Sequence, residues 1–405
     1  MDIHPEPEKI GLSPSRLARV KTWMKKYIDE GKLPGATTLV ARHGQVAFCE
    51  TMGYGDLENN KPLALDSILR FYSMSKPITA VAIMMLYEKG LFQLDDPLSN
   101  YIPTFKDMQV CQSGSGDNMT TAPAATPITI HHLLTHTSGL TYGVENEGGV
   151  PGLYAEKRTD FDPDDGPLES VVDRLAEIPL EFEPGSRWEY SVAFDVLGRL
   201  LEVISGKSLD LFLKETVFDP LGMDDTGFFV PHSKRDRFVS LYQCTPESRL
   251  SLLESVEGSP LIGKVETLSG GSGLVSTLAD YFRFTEMLRN KGELDGHRLL
   301  GRKSVELMTC NHMPGDLADM GQPTFSETTY EGIGFGLGMS VVIDPAKSKI
   351  LGTPGEYAWG GYASTTFWVD PVEDMTVIFL TQLIPSGAYP IRRELRVLAY
   401  QALID

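Results

Sequence analysis

Ser73-Met-Ser-Lys76 places a hydroxyl and an amine one helical turn apart. Serine becomes a nucleophile near neutral pH only when a neighbour takes its proton, and a lysine does that only where its surroundings suppress its charge. Residues three apart on a helix share a face, so Ser73 and Lys76 can meet while Ser75 points elsewhere. Pro77 and the apolar run 78–86 (ITAVAIMML) predict a buried helix that carries the pair in its first turn. Ser-x-x-Lys also occurs on solvated helix faces, so by itself it marks a candidate nucleophile and nothing more.

Two further segments hold usable groups. Pro184-Gly185 turns the chain just before Trp188-Glu189-Tyr190-Ser191-Val192, which delivers a phenol to a helix start. Trp359-Gly360-Gly361-Tyr362 precedes a predicted strand, and paired glycines there let backbone N–H groups approach a ligand. Each has a plain alternative, a wall residue in the first case and a turn in the second.

Other patterns fail on their own terms. Gly270-Gly271-Ser272-Gly273-Leu274 lacks the last glycine of a Gly-x-Ser-x-Gly elbow, which excludes the commonest esterase fold. His132 and His136 stand four apart without the glutamate of His-Glu-x-x-His, so they are expected to pack and no metal site is expected. Asp160-Phe-Asp162-Pro-Asp164-Asp165-Gly166 has its glycine one place late for a calcium loop and Val171 at the twelfth position; it reads as a solvated acidic loop. Gly206-Lys207-Ser208 has Leu201 where a phosphate loop needs glycine, and simply separates two helices.

The elements that must position these groups follow from periodicity. Ser13-Pro14 opens an amphipathic helix with Leu17, Val20, Met24, Tyr27 and Ile28 on one side. Segments 36–41 and 45–51 read as a hairpin around His43-Gly44, and 338–343, 364–369 and 375–381 as late strands with short connections. A last helix spans about 390–403. Between them 168–178, 192–204 and 208–218 have helical period, while 112–127 and 143–167 read as irregular loops that decorate the surface or cover a cleft. The expected fold is α/β (α+β): a central antiparallel sheet built from both chain ends and flanked by helices, with an α-rich lobe. We read 1–405 as one domain, with an α/β lobe at about 8–70 and 280–405 and an α-rich lobe at about 71–279.

The 405 residues include 55 acidic against 36 basic side chains, a formal charge of −19 without a basic cluster. That balance argues against nucleic acid as a partner. Cys49, Cys111, Cys244 and Cys310 are scattered and are expected to be buried free thiols, and no cofactor is implied. No run reaches the roughly 18 apolar residues of a membrane span, and the first residues lack a leader pattern. The expectation is a cytoplasmic protein that does not bind membrane. Its oligomeric state is not encoded legibly.

Together, Ser73-x-x-Lys76, Tyr190-Ser191-Val192 and Trp359-Gly360-Gly361, with Leu133-Leu-Thr-His-Thr-Ser-Gly-Leu140 between the first two, resemble the serine β-lactamase and penicillin-binding-protein superfamily. The resemblance spans nearly the whole chain and implies a β-lactamase/transpeptidase-like fold. Relatives that handle β-lactams carry Lys-Thr-Gly where Trp359-Gly360-Gly361 stands, and an asparagine where Val192 stands. Those departures are similar to family VIII carboxylesterases and related acyltransferases, which implies a small-molecule ester substrate and an apolar, uncharged pocket lined by Trp359, Gly360, Gly361 and Val192. The resemblance further implies Ser73, Lys76 and Tyr190 as the catalytic residues, and the backbone amides of Ser73 and Tyr362 as the oxyanion hole. A phenol acts as a base near neutral pH only beside positive charge, which Lys76 can supply; whether Lys76 or Tyr190 takes the proton stays open at this level. Acyl transfer, β-lactam or D-alanyl peptide hydrolysis, and a non-catalytic binding role are the alternatives.

Overall fold

Strands with apolar residues on both faces form the centre of the molecule. The computed structural model describes residues 3–405 except 5, 144–147 and 248. One antiparallel sheet draws on both chain ends through β1 (Gly35–Arg42), β2 (Gln45–Asp56), β3 (Lys61–Pro62), β4 (Ile333–Phe335), β5 (Ser340–Val342), β6 (Tyr357–Gly360), β7 (Thr366–Asp370) and β8 (Met375–Leu380), in the order β4-β5-β6-β7-β8-β1-β2-β3. The helices that matter to the site are α1 (Pro14–Asp29), α2 (Ser75–Glu88), α3 (Ala193–Ser205), α4 (Leu278–Arg289) and α5 (Ile391–Tyr400).

Successive strand residues point to opposite faces, and here both faces are covered. Val40, Trp368, Val377 and Phe379 pack with α1 and α5, whereas Leu39, Phe367, Ile378 and Leu380 join a core shared with α2, α3 and α4. α1 starts where Ser13 Oγ accepts from Arg16 N at 3.4 Å, and it buries the expected Leu17, Val20, Met24 and Tyr27, each worth roughly 1.5–3 kcal/mol. Trp23 and Tyr27 both donate to Glu394 of α5, at 2.6 and 2.8 Å, tying the two ends of the chain together.

Register then carries the sheet toward the site. Leu39 lies opposite Ile378, Ile378 opposite Phe367 and Phe367 opposite Trp359. Directly opposed residues share a face, so Trp359 joins the core that holds α2. α2 is buried from Ser75 through Met84, as its uninterrupted apolar sequence demands.

Several expectations need correction. Trp359 and Gly360 end a strand of their own, β6, as well as preceding the expected one, β7. Residues 338–343 hold only part of a hairpin, β4 and β5. The stretch 112–127 contains most of a second hairpin, Gln109–Ser113 with Thr120–Pro123, hidden by its Ser, Gly and Thr content. Within 143–167 a helix runs from Gly149 to Lys157, and 144–147 lie outside the described residues. The acidic loop is not simply solvated: Asp165 is buried, accepting from Arg158 and from Asp162 N. The helix predicted over 208–218 changes to a π-turn at Lys214–Phe218. All four cysteines are free, but Cys49, Cys111 and Cys244 are half-buried and Cys310 is exposed. No helix among the described residues is long and apolar enough to cross a membrane.

Candidate active site

Ser73 sits in a tight turn, Tyr72–Met74, that runs directly into α2. Tyr72 holds φ at 45°, a left-handed conformation that costs a non-glycine residue energy. Hydrogen bonds fix the turn: Phe71 N donates to Leu274 O at 3.0 Å, and Tyr281 OH donates to Met74 O at 3.0 Å. Ser75 Oγ accepts from Leu274 N at 3.1 Å, so its hydroxyl is occupied in the scaffold, and Ser73, half-buried, is the one that lines the cleft.

Lys76 is fully buried. Its Nζ donates to Ser73 Oγ at 3.2 Å, to Tyr142 OH at 3.1 Å and to Gly271 O at 3.0 Å. The phenol oxygen of Tyr190 lies 2.5 Å from Ser73 Oγ, and its ring centroid lies 4.5 Å from Lys76 Nζ. Lys76, paired with Ser73 by spacing, and Tyr190, singled out by the motif resemblance, thus converge on one hydroxyl.

The 133–140 tract holds the tyrosine in place. Gly185 N donates to Thr137 O at 2.7 Å, Glu189 N to His136 O at 2.9 Å and Val192 N to Thr141 O at 3.3 Å, so the two segments run side by side. His136 is buried against the Tyr190 ring with centroids 4.9 Å apart, and its Nδ1 pairs with Ser191 Oγ at 3.0 Å. Burial, with Lys76 adding, holds its imidazole well below the ordinary range, which leaves it neutral. His132 Nδ1 accepts from Thr129 N at 3.2 Å and caps a short helix. Both histidines therefore do structural work, and among the described residues no cluster of three or more His, Cys, Asp or Glu is placed to hold a metal.

On the opposite wall, β6 ends at Gly360 and Gly361 follows it. A Cβ at Gly361 would stand 2.5 Å from Phe71 O and overlap Thr365 Oγ1. Glycine is therefore what lets this strand end pass against the backbone two residues before Ser73. Tyr362 follows, edge-on to Tyr72 at 5.9 Å, and lines the cleft with Trp359, Phe325 and Tyr330. The hairpin bearing Phe325 leans over the site, its ring 5.2 Å from that of Tyr190.

Two expectations about the pocket change. Val192 is fully buried in the core and does not line the cleft, because its side chain faces into the helical packing at the start of α3. The cleft is not uncharged, since Arg392, Arg393 and Arg396 of α5 reach it. Glu327 neutralises Arg392 at 2.9 Å, and Glu356 pairs with Arg396. Arg393 is exposed and makes no ion pair among the described residues. Sequence reasoning also missed Tyr142, Phe325 and Tyr330. Tyr142 stands two residues beyond the Leu133–Leu140 tract, the only signal that pointed near it.

With this geometry in hand, comparison with known proteins gives the family. A Beta-lactamase family model matches residues 20–401, and the chain belongs to that family. Protein Rv1367c of Mycobacterium tuberculosis is 35% identical over 369 residues, covering 90% of this chain and 89% of its own. Esterase EstB of Burkholderia gladioli is 30% identical over 403 residues, covering 94% of each. Among solved structures, that of EstCE1, a hydrolase with promiscuous acyltransferase activity, superposes with a TM-score of 0.78 at 29% identity, covering 95% of this chain and 99% of that one. The fold is β-lactamase/transpeptidase-like.

Proposed function

We propose that the protein is a serine carboxylic ester hydrolase that works through an acyl-Ser73 intermediate on small-molecule esters. The observation that carries this reading is the 2.5 Å approach of Tyr190 to a Ser73 hydroxyl that Lys76 also contacts. Ser73 O–H gives its proton to the Tyr190–Lys76 pair as Oγ bonds to the ester carbonyl carbon. The backbone amides of Ser73 and Tyr362 flank the point where the oxyanion forms, and one such donor is worth roughly 3–4 kcal/mol in comparable sites. The C–O bond then breaks and the proton moves from Tyr190 to the leaving alkoxide. A water molecule, deprotonated by the same pair, releases the acid.

EstB is named an esterase, and both its identity and its coverage of this chain support carrying ester hydrolysis over. Trp359 stands where β-lactam-handling relatives have a lysine, and its indole lies in an aromatic wall with Phe325 and Tyr190, which suits an apolar acyl or alcohol group. Acyl transfer shares every step up to acyl-Ser73, and EstCE1 is described as doing both. The test is turnover of nitrophenyl esters of two to eight carbons by wild type and Ser73→Ala, with and without an added alcohol. Loss of turnover in Ser73→Ala supports the reading, and ester product on adding alcohol identifies transfer. Unchanged turnover in Ser73→Ala, or rapid nitrocefin cleavage with no esterase activity, contradicts it.

A further inference from the structure

One arginine of the cleft rim spends its hydrogen bonds on the wall that faces Ser73. Arg392, near the start of α5, has a side chain 17% exposed, and that of its partner Glu327 is 8% exposed. Arg392 Nη1 donates to both carboxylate oxygens of Glu327, at 3.1 and 2.9 Å. Nη2 donates to Ser386 Oγ at 2.6 Å, to Thr365 O at 3.3 Å and to Gly361 O at 3.4 Å. A terminal guanidinium nitrogen carries two hydrogens. With one on Ser386, the other is shared between the two carbonyls, a three-centre arrangement that accounts for both longer contacts. The backbone beside it has to be bare: a Cβ at Gly360 would stand 3.0 Å from Nη2, 3.1 Å from Nε and 2.8 Å from Thr365 O.

Gly361 O belongs to the same peptide unit as Tyr362 N. That unit is planar, with its C=O and N–H pointing in opposite directions, so holding the oxygen aims the N–H. Ser364 N donates to Gly361 O at 3.1 Å and Gly361 N donates to Thr365 O at 3.0 Å, which closes the turn out of β6. The turn thus restrains this oxygen from its own loop, and Arg392 restrains it from another element. Two consecutive glycines, required by the approach to Phe71, also leave the peptide freer to rotate than side-chain-bearing residues would. The anchor of the clamp is ionic. Burial pushes the Glu327 carboxyl upward, yet Arg392 outweighs that and holds it below the usual range, so it stays a carboxylate. The hairpin tip beside it is pinned to the same place: Ser326 Oγ donates to Ser386 O at 2.6 Å, and a Cβ at Gly387 would overlap Ser326 Oγ.

We infer that Arg392 is a positioning residue for the oxyanion hole: its guanidinium, anchored on Glu327 of the Phe325 hairpin, holds the Gly361–Tyr362 peptide with Tyr362 N–H facing the ester oxygen beside Ser73. The inference rests on the acyl-Ser73 reading and on Tyr362 N as a donor within it. Charge develops on that oxygen only as Ser73 Oγ bonds to the carbonyl carbon, so a misaimed donor costs rate rather than ground-state binding. Arg392 donates to Glu327, Ser386, Thr365 and Gly361 and not to Ser73, so it acts through this peptide. The hairpin that supplies Phe325 to the aromatic wall also supports the oxyanion hole.

The experiment is single-turnover acylation by a nitrophenyl ester and by its thionoester, in which sulfur replaces the carbonyl oxygen, with wild type and the double variant Arg392→Met/Glu327→Gln. Changing both residues removes two charges together, so no buried carboxylate is left unpaired. Sulfur is a weak hydrogen-bond acceptor, so the thionoester gains little from a well-aimed N–H. Positioning predicts that the ester's acylation rate falls roughly tenfold or more and the thionoester's far less, so that their ratio drops roughly fivefold or more, at an unchanged half-saturating concentration. A role confined to packing slows both substrates alike. An unchanged ratio therefore overturns the inference, as does an unchanged ester rate. Where the double variant fails to fold, Arg392→Lys is read by the same ratio, since an ammonium keeps the charge beside Glu327 but cannot span to Ser386 and the two carbonyls. Wild type that neither turns over esters nor takes a fluorophosphonate on Ser73 defeats the acyl-Ser73 reading itself, so the two failures are distinguishable.

Discussion

Tyr190→Phe removes one oxygen and leaves a ring whose packing is already complete. The ring contacts Tyr142, His136, Phe325 and Trp359 at centroid distances of 4.9 to 5.5 Å, and none of those contacts needs the hydroxyl. Lys76 keeps its bonds to Ser73, Tyr142 and Gly271, so no buried charge loses its last partner. Stability should therefore fall by no more than about 1 kcal/mol, the net worth of one hydrogen bond. The chemistry should suffer far more. A positioned acid–base group contributes about 10²–10⁴-fold, which corresponds to roughly 3–5 kcal/mol of barrier. The assay is stopped-flow acylation by a nitrophenyl ester under single-turnover conditions, paired with a thermal melt of the same sample. A loss of about 10² or more with an unchanged melt supports the role. Acylation within threefold of wild type would refute the reasoning, because no other group among the described residues stands as near Ser73 Oγ.

Other changes probe separate parts of the account. Gly361→Ala places a methyl against Phe71 O and Thr365 Oγ1; overpacking of about 1–3 kcal/mol should push β6 away from Ser73 and cut kcat at least tenfold, and an unaffected kcat argues against an oxyanion donor there. Arg393→Ala should leave neutral esters within about twofold and raise KM for esters bearing a carboxylate, checked with matched acetyl and hemiglutaryl nitrophenyl esters; equal effects on both substrates would remove Arg393 from recognition. Asp316 is buried, which alone would raise its carboxyl, yet donation from Gly332 N at 2.8 Å and from Lys347 at 2.5 Å outweighs that and holds it at about 2. Its folded value lies below the unfolded one, so its contribution is present above about pH 4 and fades as pH falls toward 2. Asp316→Asn should accordingly cost about 1–3 kcal/mol at pH 7 and converge with wild type in acid urea melts, whereas a constant difference across pH would contradict this.

Ser73 and Lys76 were legible as a pair because residues three apart share a helix face, Tyr190 was singled out only through the resemblance of its segment to a family motif, and α2 could be read because an unbroken apolar run has to be buried. α1 was legible from its period. The hairpin within 109–123 was not, since strand pairing there is set by partners such as Leu180, whose carbonyl accepts from Cys111 N, rather than by local propensity. Val192 was misplaced for a related reason: alignment with a motif fixes position along the chain, but the turn into α3 fixes which way the side chain points. Tyr142 belongs to no local pattern, because its contact with Lys76 arises only once the 133–142 segment is brought against the first turn of α2. The charged rim was also invisible, as it comes from α5, some 30 residues beyond Trp359 and folded back over the cleft.

The most direct test of the central claim is intact-mass analysis, followed by peptide mapping, of native protein quenched within its first turnover of a slowly released ester or after exposure to a fluorophosphonate. The account predicts one adduct per chain, on Ser73, absent from Ser73→Ala and slowed in both Lys76→Ala and Tyr190→Phe. An adduct on any other residue, or ester turnover by folded wild-type protein with Ser73 never modified, would contradict it.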